Sequence, residues 1–265
     1  MTGRLRRPLL SFGLQPDLHI GPLELKTFGL CFAAGFIAAA AVLARHLREI
    51  GRPPDWAYEI IFAGLVGGVV GSRLDYVVQN WDEVSEDLLG NVFSGSGLVW
   101  FGGLVGGALG VLLWAWRRGF LSLQLLDVTA MPLALGYAVG RVGCQLSGDG
   151  DYGVESDLPW AMAYPDGTVS TTEEVHPTPI YESVAMGLVA LALWRLRGRL
   201  APGMVFAIYL VAAGLERLLV EFIRRNDDVA VGLTFAQLVS VALIALGTAW
   251  LARTRTNLAQ TSQGG

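Results

Sequence analysis

The sequence contains few charged residues for its length. Asp, Glu, Lys and Arg make up only 16% of its 265 residues, whereas soluble domains carry about 25%. Hydrophobic residues make up 53%, and the mean hydropathy is +0.49. This composition argues against a water-soluble globular domain and predicts a protein that lies in a membrane.

The sequence also lacks the cysteine content and the basic excess that other protein classes need. Two cysteines, Cys31 and Cys144, are too few for a disulfide framework or a four-cysteine zinc site. A net charge of −4 excludes a general nucleic-acid-binding protein, which needs a basic surface. We therefore expect no nucleic-acid partner, no cofactor and no metal ion.

Long apolar segments dominate what is present. A helix needs about 20 mostly apolar residues to cross a bilayer core of about 30 Å. Seven segments are candidates: 27–44, 57–79, 97–116, 121–140, 178–194, 203–222 and 232–252. They predict an all-α, polytopic membrane protein with seven transmembrane helices, folded as a single integral membrane domain over residues 1–265. Glycine runs in the second and third spans predict close helix–helix contacts.

The distribution of arginine predicts the orientation, because cytoplasmic loops are enriched in Lys and Arg. The connections after spans one, three, five and seven contain arginines, whereas the connections 2–3 and 4–5 contain acids and neither Lys nor Arg. We therefore expect an external N-terminus, a cytoplasmic C-terminus and an extracytoplasmic loop over 145–177. In this interpretation Arg224 and Arg225 are loop charges that follow span six.

Three arginines lie within or at the ends of spans, where a charge needs a partner or a polar cavity. Arg73, Arg141 and Arg217 come from spans two, four and six, and the predicted topology puts all three toward the outer leaflet. Guanidinium groups match phosphate well, so such a cluster predicts a binding site for an anionic phospholipid headgroup. Two alternatives stay open: internal ion pairs such as Arg217 with Glu221, spaced i,i+4, and a transporter.

A glycine-rich stretch follows span four and contains the sequence Gly140-Arg-Val-Gly-Cys-Gln-Leu-Ser-Gly-Asp-Gly-Asp-Tyr-Gly153. It could cradle phosphate oxygens with backbone N–H groups, or it could simply be a helix end and turn. Asp149 and Asp151 could instead bind a divalent cation, although two acids are a weak signal. His176, held between acids and prolines before span five, is a candidate general base.

Several motifs together resemble the prolipoprotein diacylglyceryl transferase family over roughly residues 20–250. The resemblance rests on the order and spacing of these motifs. They are Phe28-Gly-Leu…Gly35-Phe, Gly71-Ser-Arg-Leu-Asp-Tyr76, Gly97-Leu-Val-Trp-Phe-Gly-Gly-Leu-Val-Gly106, Gly140-Arg-Val-Gly143, His176-Pro…Tyr181-Glu182 and Glu216-Arg-Leu-Leu-Val-Glu-Phe-Ile-Arg224.

The resemblance implies a seven-helix enzyme of the bacterial cytoplasmic membrane. Its expected partners are phosphatidylglycerol, whose diacylglyceryl group is transferred, and prolipoprotein signal sequences, whose cysteine thiol accepts the group as a thioether while glycerol-1-phosphate leaves. The implied catalytic residues are Arg141, Arg217, Glu221, Asp149, Asp151 and His176. The implied substrate-binding residues are Arg73, Phe28, Phe101, Gly102, Gly103, Gly143, Cys144, Gly153, Tyr181 and Glu182.

The sequence departs from the family at positions that matter for the chemistry. Phe101 replaces the histidine of the family's His-Gly-Gly motif, Cys144 replaces an asparagine, and Phe28 replaces a tyrosine. The proton acceptor for the thiol is then open among four side chains, which are Asp149, Asp151, His176 and Glu221. A relative that binds phospholipid or lipoprotein without catalysis is the alternative interpretation.

Overall fold

The computed structural model describes residues 15–20, 23–84, 99–226 and 232–263, and most of them are helical. The helices are α1 (Thr27–Glu49), α2 (Trp56–Gln79), α3 (Trp81–Val84), α4 (Trp100–Arg117), α5 (Leu123–Ser147), α6 (Thr178–Leu196), α7 (Met204–Glu221) and α8 (Phe235–Gln263). The strands form two antiparallel hairpins, β1 (Asp17–Ile20) with β2 (Leu23–Lys26) and β3 (Met162–Tyr164) with β4 (Thr171–Val175).

Five of these helices are long and apolar enough to cross a membrane: α1, α2, α5, α6 and, over Phe235–Thr254, α8. Helix α4 is apolar but shorter over Phe101–Arg117, and α7 has three charged residues among its 18. Large apolar side chains such as Phe62, Leu188 and Leu219 are about two-thirds exposed on the helix surfaces. A polytopic membrane protein accounts for this exposure, since lipid covers such surfaces.

The described residues divide into two compact units. One contains residues up to Ala39 and from Leu126 onward, and the other contains residues 40–125.

In the unit of residues 40–125, α2 and α4 pack through facing glycines. A Cβ atom at Gly71 would lie 2.3 Å from the carbonyl oxygen of Gly102, and one at Gly106 would lie 2.3 Å from that of Gly67. No larger side chain fits at these separations without moving a backbone. The prediction that the glycine runs are helix–helix contact faces is therefore confirmed, and the structure shows that the two runs contact each other.

In the other unit, Asp127 of α5 fixes the start of α7. Its carboxylate oxygens accept hydrogen bonds from the backbone N–H groups of Gly203, at 2.6 Å, and Phe206, at 2.9 Å. Such a carboxylate satisfies N–H groups that have no partner within the helix and also complements the helix dipole. This contact fixes the position of α7, which contains Arg217.

Helix α5 is longer than the sequence predicts. The predicted span ended at residue 140, but the helix continues to Ser147, so Arg141 and Cys144 lie on the helix and not in a loop. Gly143 packs closely against α1, since a Cβ there would lie 2.9 Å from that of Cys31. The helix ends at Gly148, whose positive φ of 57° suits glycine and whose N–H donates to the carbonyl of Cys144.

Candidate active site

Glu182, in the first turns of α6, is the centre of a buried charge network. Its side chain has no exposed surface. Oε1 accepts a hydrogen bond from the Tyr137 hydroxyl at 2.9 Å and lies 3.4 Å from Arg217 Nη1 and 3.5 Å from Arg224 Nη1. Oε2 lies 3.2 Å from Arg141 Nε. One carboxylate thus joins arginines from α5, from α7 and from the segment that follows α7.

Asp151 forms a second junction between two of these arginines. Arg141 Nη1 donates to Oδ2, and Arg224 Nη2 donates to Oδ1. Burial alone would raise the pKa of Asp151, but the two guanidinium groups outweigh it and hold the pKa below its ordinary value. Asp151 is therefore ionised at neutral pH and is committed to ion pairing.

Glu221 completes the network one helical turn beyond Arg217. Arg217 Nη2 lies 2.6 Å from Oε2, which is the i,i+4 pair that the sequence spacing predicts. Oε1 accepts hydrogen bonds from Asn226 Nδ2 and Thr234 Oγ1, each at 2.7 Å. The side chain is therefore held from two directions and is buried.

The network balances its own charge. Three guanidinium groups, those of Arg141, Arg217 and Arg224, face the carboxylates of Asp151, Glu182 and Glu221. A buried guanidinium without a counter-ion is strongly destabilising, so this pairing is what allows three arginines to lie together. A guanidinium has five N–H donors. The ion pairs with these carboxylates use Nη1 and Nε of Arg141 and the two Nη atoms of Arg217. Each of these two guanidinium groups therefore has nitrogen atoms or N–H groups that are not used in an ion pair.

Arg224 is a correction to the sequence interpretation, which treated it as a loop charge. Its side chain is only 10% exposed and pairs with Asp151 and Glu182. The spacing 217, 221, 224 is the sequence signal that could have revealed it, because i, i+4 and i+7 would share one face of a continuous helix, although α7 itself ends at Glu221 and Arg224 follows it.

Gly153 and His176 connect the two ends of the segment 148–177, called the covering segment below, which links α5 to α6. Gly153 donates its N–H to the carbonyl of His176 at 2.9 Å, and a Cβ there would lie 2.4 Å from the carbonyl oxygen of Ile223. His176 Nδ1 lies 3.5 Å from the Tyr181 hydroxyl, which also accepts a hydrogen bond from Trp160 Nε1 at 2.7 Å. Tyr181 therefore contacts both His176 and Trp160.

Three backbone N–H groups of the stretch that starts at Gly148 are used internally. Gly148 donates to Cys144, and Asp151 donates to the side chain of Asp149 at 3.3 Å. These donors and that of Gly153 are thus not available to a phosphate. The cradle considered for this stretch would have to use its other N–H groups, and it stays a prediction.

Cys144 lies near two acids. Its Sγ and the carboxylates of Asp149 and Asp151 lie within 4.8 Å of one another, a spacing that a metal ion can bridge. The ion pairs of Asp151 with arginine occupy both of its oxygens, which leaves a poor ligand set. Burial raises the pKa of Asp149, and Cys144 is itself buried and 3.7 Å from Arg141 Nη1.

The remaining candidate residues make other contacts within their own units. Phe28 stacks on Phe32 in α1, with ring centroids 6.0 Å apart. Gly102 donates its N–H to Asp75 Oδ2 at 2.9 Å, and Arg73 lies over the ring of Tyr76 at 5.1 Å. The candidates that belong to the unit of residues 40–125 are Arg73, Phe101, Gly102 and Gly103. That Arg73 joins the other arginines stays a prediction.

Apolar helices and a buried network of guanidinium and carboxylate groups define a polytopic membrane protein with a polar site at helix ends. The sequence profile of the family described as prolipoprotein diacylglyceryl transferase matches residues 17–253. The chain therefore belongs to this family of transferases.

Relatives of similar length support the assignment. A phosphatidylglycerol–prolipoprotein diacylglyceryl transferase of Dehalococcoides mccartyi is 32% identical over 234 residues, which cover 86% of this chain and 88% of the relative. The enzyme of the same name from Rhodospirillum centenum is 31% identical over 243 residues, covering 87% of each chain. The one from Clostridium tetani is 29% identical over 230 residues, covering 85% and 91%.

Proposed function

We propose that this protein transfers the diacylglyceryl group of phosphatidylglycerol to the cysteine thiol of prolipoprotein signal sequences. A thioether forms, and glycerol-1-phosphate leaves. The names of the relatives and the family membership support the substrates. The observation that carries the proposal is the meeting of Arg141 and Arg217, from two different helices, at the buried carboxylate of Glu182.

The arginine pair suits an anionic lipid. The carboxylates fix each guanidinium plane in position, and the remaining N–H directions of Arg141 and Arg217 can then receive a phosphate. A preorganised donor stabilises charge as it develops, without reorganisation during the reaction. Charge develops on the phosphate oxygen as it leaves, so these arginines suit the leaving group more than the uncharged acyl chains.

The rest of the candidate site supports this arrangement. Asp151, Glu182 and Glu221 orient the arginines, and Gly153 permits close approach of the covering segment. We propose that Tyr181 and His176 line the path by which the signal sequence reaches the network. The proposed lipid contacts of the remaining residues stay predictions: Arg73, Phe28, Phe101, Gly102, Gly103, Gly143, Cys144 and Asp149.

The positions of the network residues also suit the proposed topology. The network joins the C-terminal end of α5, the N-terminal end of α6 and the C-terminal end of α7. These three ends lie on the same side of the membrane when consecutive helices cross it in opposite directions. We propose seven spans with the N-terminus outside, so that the network and the loop 145–177 face the outer side of the bacterial cytoplasmic membrane. The acceptor cysteine, at the outer end of a signal helix, would arrive at this side.

A transfer assay tests the proposal. The purified protein is mixed with phosphatidylglycerol and a peptide that carries the signal-sequence cysteine, and mass spectrometry follows the gain of one diacylglyceryl group and the release of glycerol phosphate. We expect both with the wild type. We expect Arg141→Lys to lose about 10²–10³-fold in kcat. The compact ammonium group of lysine keeps the charge, but it cannot make the paired hydrogen bonds to several oxygens that a planar guanidinium group makes.

Two controls make the assay decisive. Arg199→Lys changes an exposed arginine that belongs to no part of the network and should transfer at the wild-type rate. Thermal unfolding of Arg141→Lys checks that the retained charge keeps the network folded. Equal rates for Arg141→Lys and the wild type would remove Arg141 from the mechanism. Phospholipid binding by the wild type without any peptide mass gain would instead indicate a binding protein.

A further inference from the structure

Glu216 is a buried acid of the same region that the sequence motifs do not assign to the reaction. It lies on α7 directly before Arg217, and only 9% of its surface is exposed. Its Oε1 atom is buried and has no hydrogen-bond partner among the described residues. A buried carboxyl oxygen without a partner is destabilising, so such a group in a folded protein calls for an explanation.

Glu216 faces the charge network from α7. It interacts electrostatically with Arg141 of α5 and Glu182 of α6, and also with Arg217 and Arg224. Its other ionisable neighbours are tyrosines, which are Tyr137 of α5 and Tyr209 of α7. The carboxyl group thus interacts with the arginines electrostatically, and no ion pair at close range joins them in the described residues.

The lack of a close ion pair distinguishes Glu216 from Asp151, Glu182 and Glu221. Guanidinium groups hold the carboxylates of Asp151, Glu182 and Glu221 at close range. A carboxylate that accepts hydrogen bonds from guanidinium is stabilised in its ionised form and takes up a proton poorly. Oε2 of Glu182 and Oε2 of Glu221 also lack a hydrogen-bond partner, but each forms an ion pair, with Arg141 Nε at 3.2 Å and with Arg217 Nη2 at 2.6 Å. Asp149 forms no ion pair with these arginines, but its Oδ1 accepts a hydrogen bond from the backbone N–H of Asp151 at 3.3 Å. Glu216 Oε1 has neither kind of contact among the described residues.

The proposed reaction requires a proton acceptor that the family motif does not supply here. The nucleophile is a thiolate, and an unperturbed thiol has a pKa of about 8.5, so most of it is protonated at neutral pH. Phe101 stands at the position of the family's histidine, and a phenyl ring accepts no proton.

Resting on the function proposed above, we infer that Glu216 is the proton acceptor for the acceptor thiol. The thiol proton moves to Glu216 Oε1 as the sulfur forms its bond to the glyceryl carbon that bears the phosphate. The bond from that carbon to the phosphate oxygen breaks, and its electron pair leaves with glycerol phosphate. The proton is then passed to the phosphate monoester or to water, which restores the carboxylate.

The test compares Glu216→Gln with the wild type on two acceptor peptides. One peptide carries cysteine, and the other carries selenocysteine, whose selenol is already ionised at neutral pH and needs no base. Glutamine keeps the size of the side chain but accepts no proton. Glu155→Gln, at an exposed acid of the covering segment, is the matched control and should behave as wild type.

We expect Glu216→Gln to lower kcat with the cysteine peptide by about 10²–10⁴-fold at neutral pH, the usual contribution of a general base. The loss should shrink as the pH approaches about 8.5, where the thiol ionises without help. With selenocysteine the variant should stay within a few fold of wild type, and its phosphatidylglycerol affinity should not change.

Two results would overturn the assignment. One is a wild-type rate for Glu216→Gln with cysteine at neutral pH. The other is an equal loss with both peptides at every pH, which indicates a structural role. A wild type that transfers to neither peptide would overturn the proposed function itself, and the assignment of Glu216 with it.

Discussion

The replacement Glu182→Gln removes the central charge of the network while it keeps the shape of the side chain. Three guanidinium groups and the Tyr137 hydroxyl contact this carboxylate at 2.9 to 3.5 Å, and none of its surface is exposed. After the replacement, Arg141, Arg217 and Arg224 share only two paired carboxylates. Removing one partner of a buried ion pair costs about 3–5 kcal/mol, because the other partner stays buried without compensation.

This loss should be visible in thermal unfolding. In a chain of this size about 1 kcal/mol lowers Tm by about 2–4 °C, so the variant should melt roughly 6–20 °C below the wild type. Circular dichroism of the purified protein in detergent measures the transition, and Glu155→Gln, an exposed acid, is the control that should not shift. An unchanged Tm for Glu182→Gln would refute the central place given to this carboxylate.

Two further predictions concern stability. The pKa of Asp151 lies below its ordinary value, so its ion pairs stabilise the fold above about pH 3.9 and are lost as the pH falls through the lowered pKa. Asp151→Asn should therefore lower Tm at pH 7, and the difference from wild type should disappear in acid; a constant difference at all pH values would contradict this. Gly106→Ala should destabilise by about 1–3 kcal/mol, because its Cβ would lie 2.3 Å from the carbonyl oxygen of Gly67, whereas Gly140→Ala meets nothing within 4 Å and should not. Equal Tm values for the two alanine variants would show that the close helix contact is unimportant.

The sequence predicts the helices better than the site. Apolar length identifies the five helices that are long and apolar enough to cross a membrane, because lipid imposes one simple requirement along a whole segment, whereas seven spans stay a prediction. Glycine runs predict close helix–helix contact faces for a similar reason, since only small residues permit them, but they do not show which helix is the partner. The end of α5 is missed because Gly140 and Gly143 suggest a loop, whereas packing against α1 keeps the stretch helical.

The pairing within the site depends on contacts that no single segment contains. The sequence identifies Arg141 and Arg217 as charges that need a partner, but it does not show that Glu182, far away in sequence, serves both. It treats Arg224 as a loop charge because the residue follows the apolar run. The structure places its guanidinium inside, where Asp151 and Glu182 neutralise it.

The charge balance of the network also changes the expected picture of lipid binding. An arginine cluster alone would attract phosphate as a positive patch. The paired network instead holds guanidinium groups of fixed orientation, so we expect the binding of a lipid phosphate to depend on the remaining N–H directions more than on net charge.

The most direct test of the central claim is a structure of this protein with phosphatidylglycerol bound, determined by cryo-electron microscopy or crystallography. We predict that the headgroup phosphate lies within hydrogen-bond distance of the guanidinium groups of Arg141 or Arg217, with Glu182 still paired to both. A phosphate bound elsewhere, with neither arginine in contact, would contradict the proposed site.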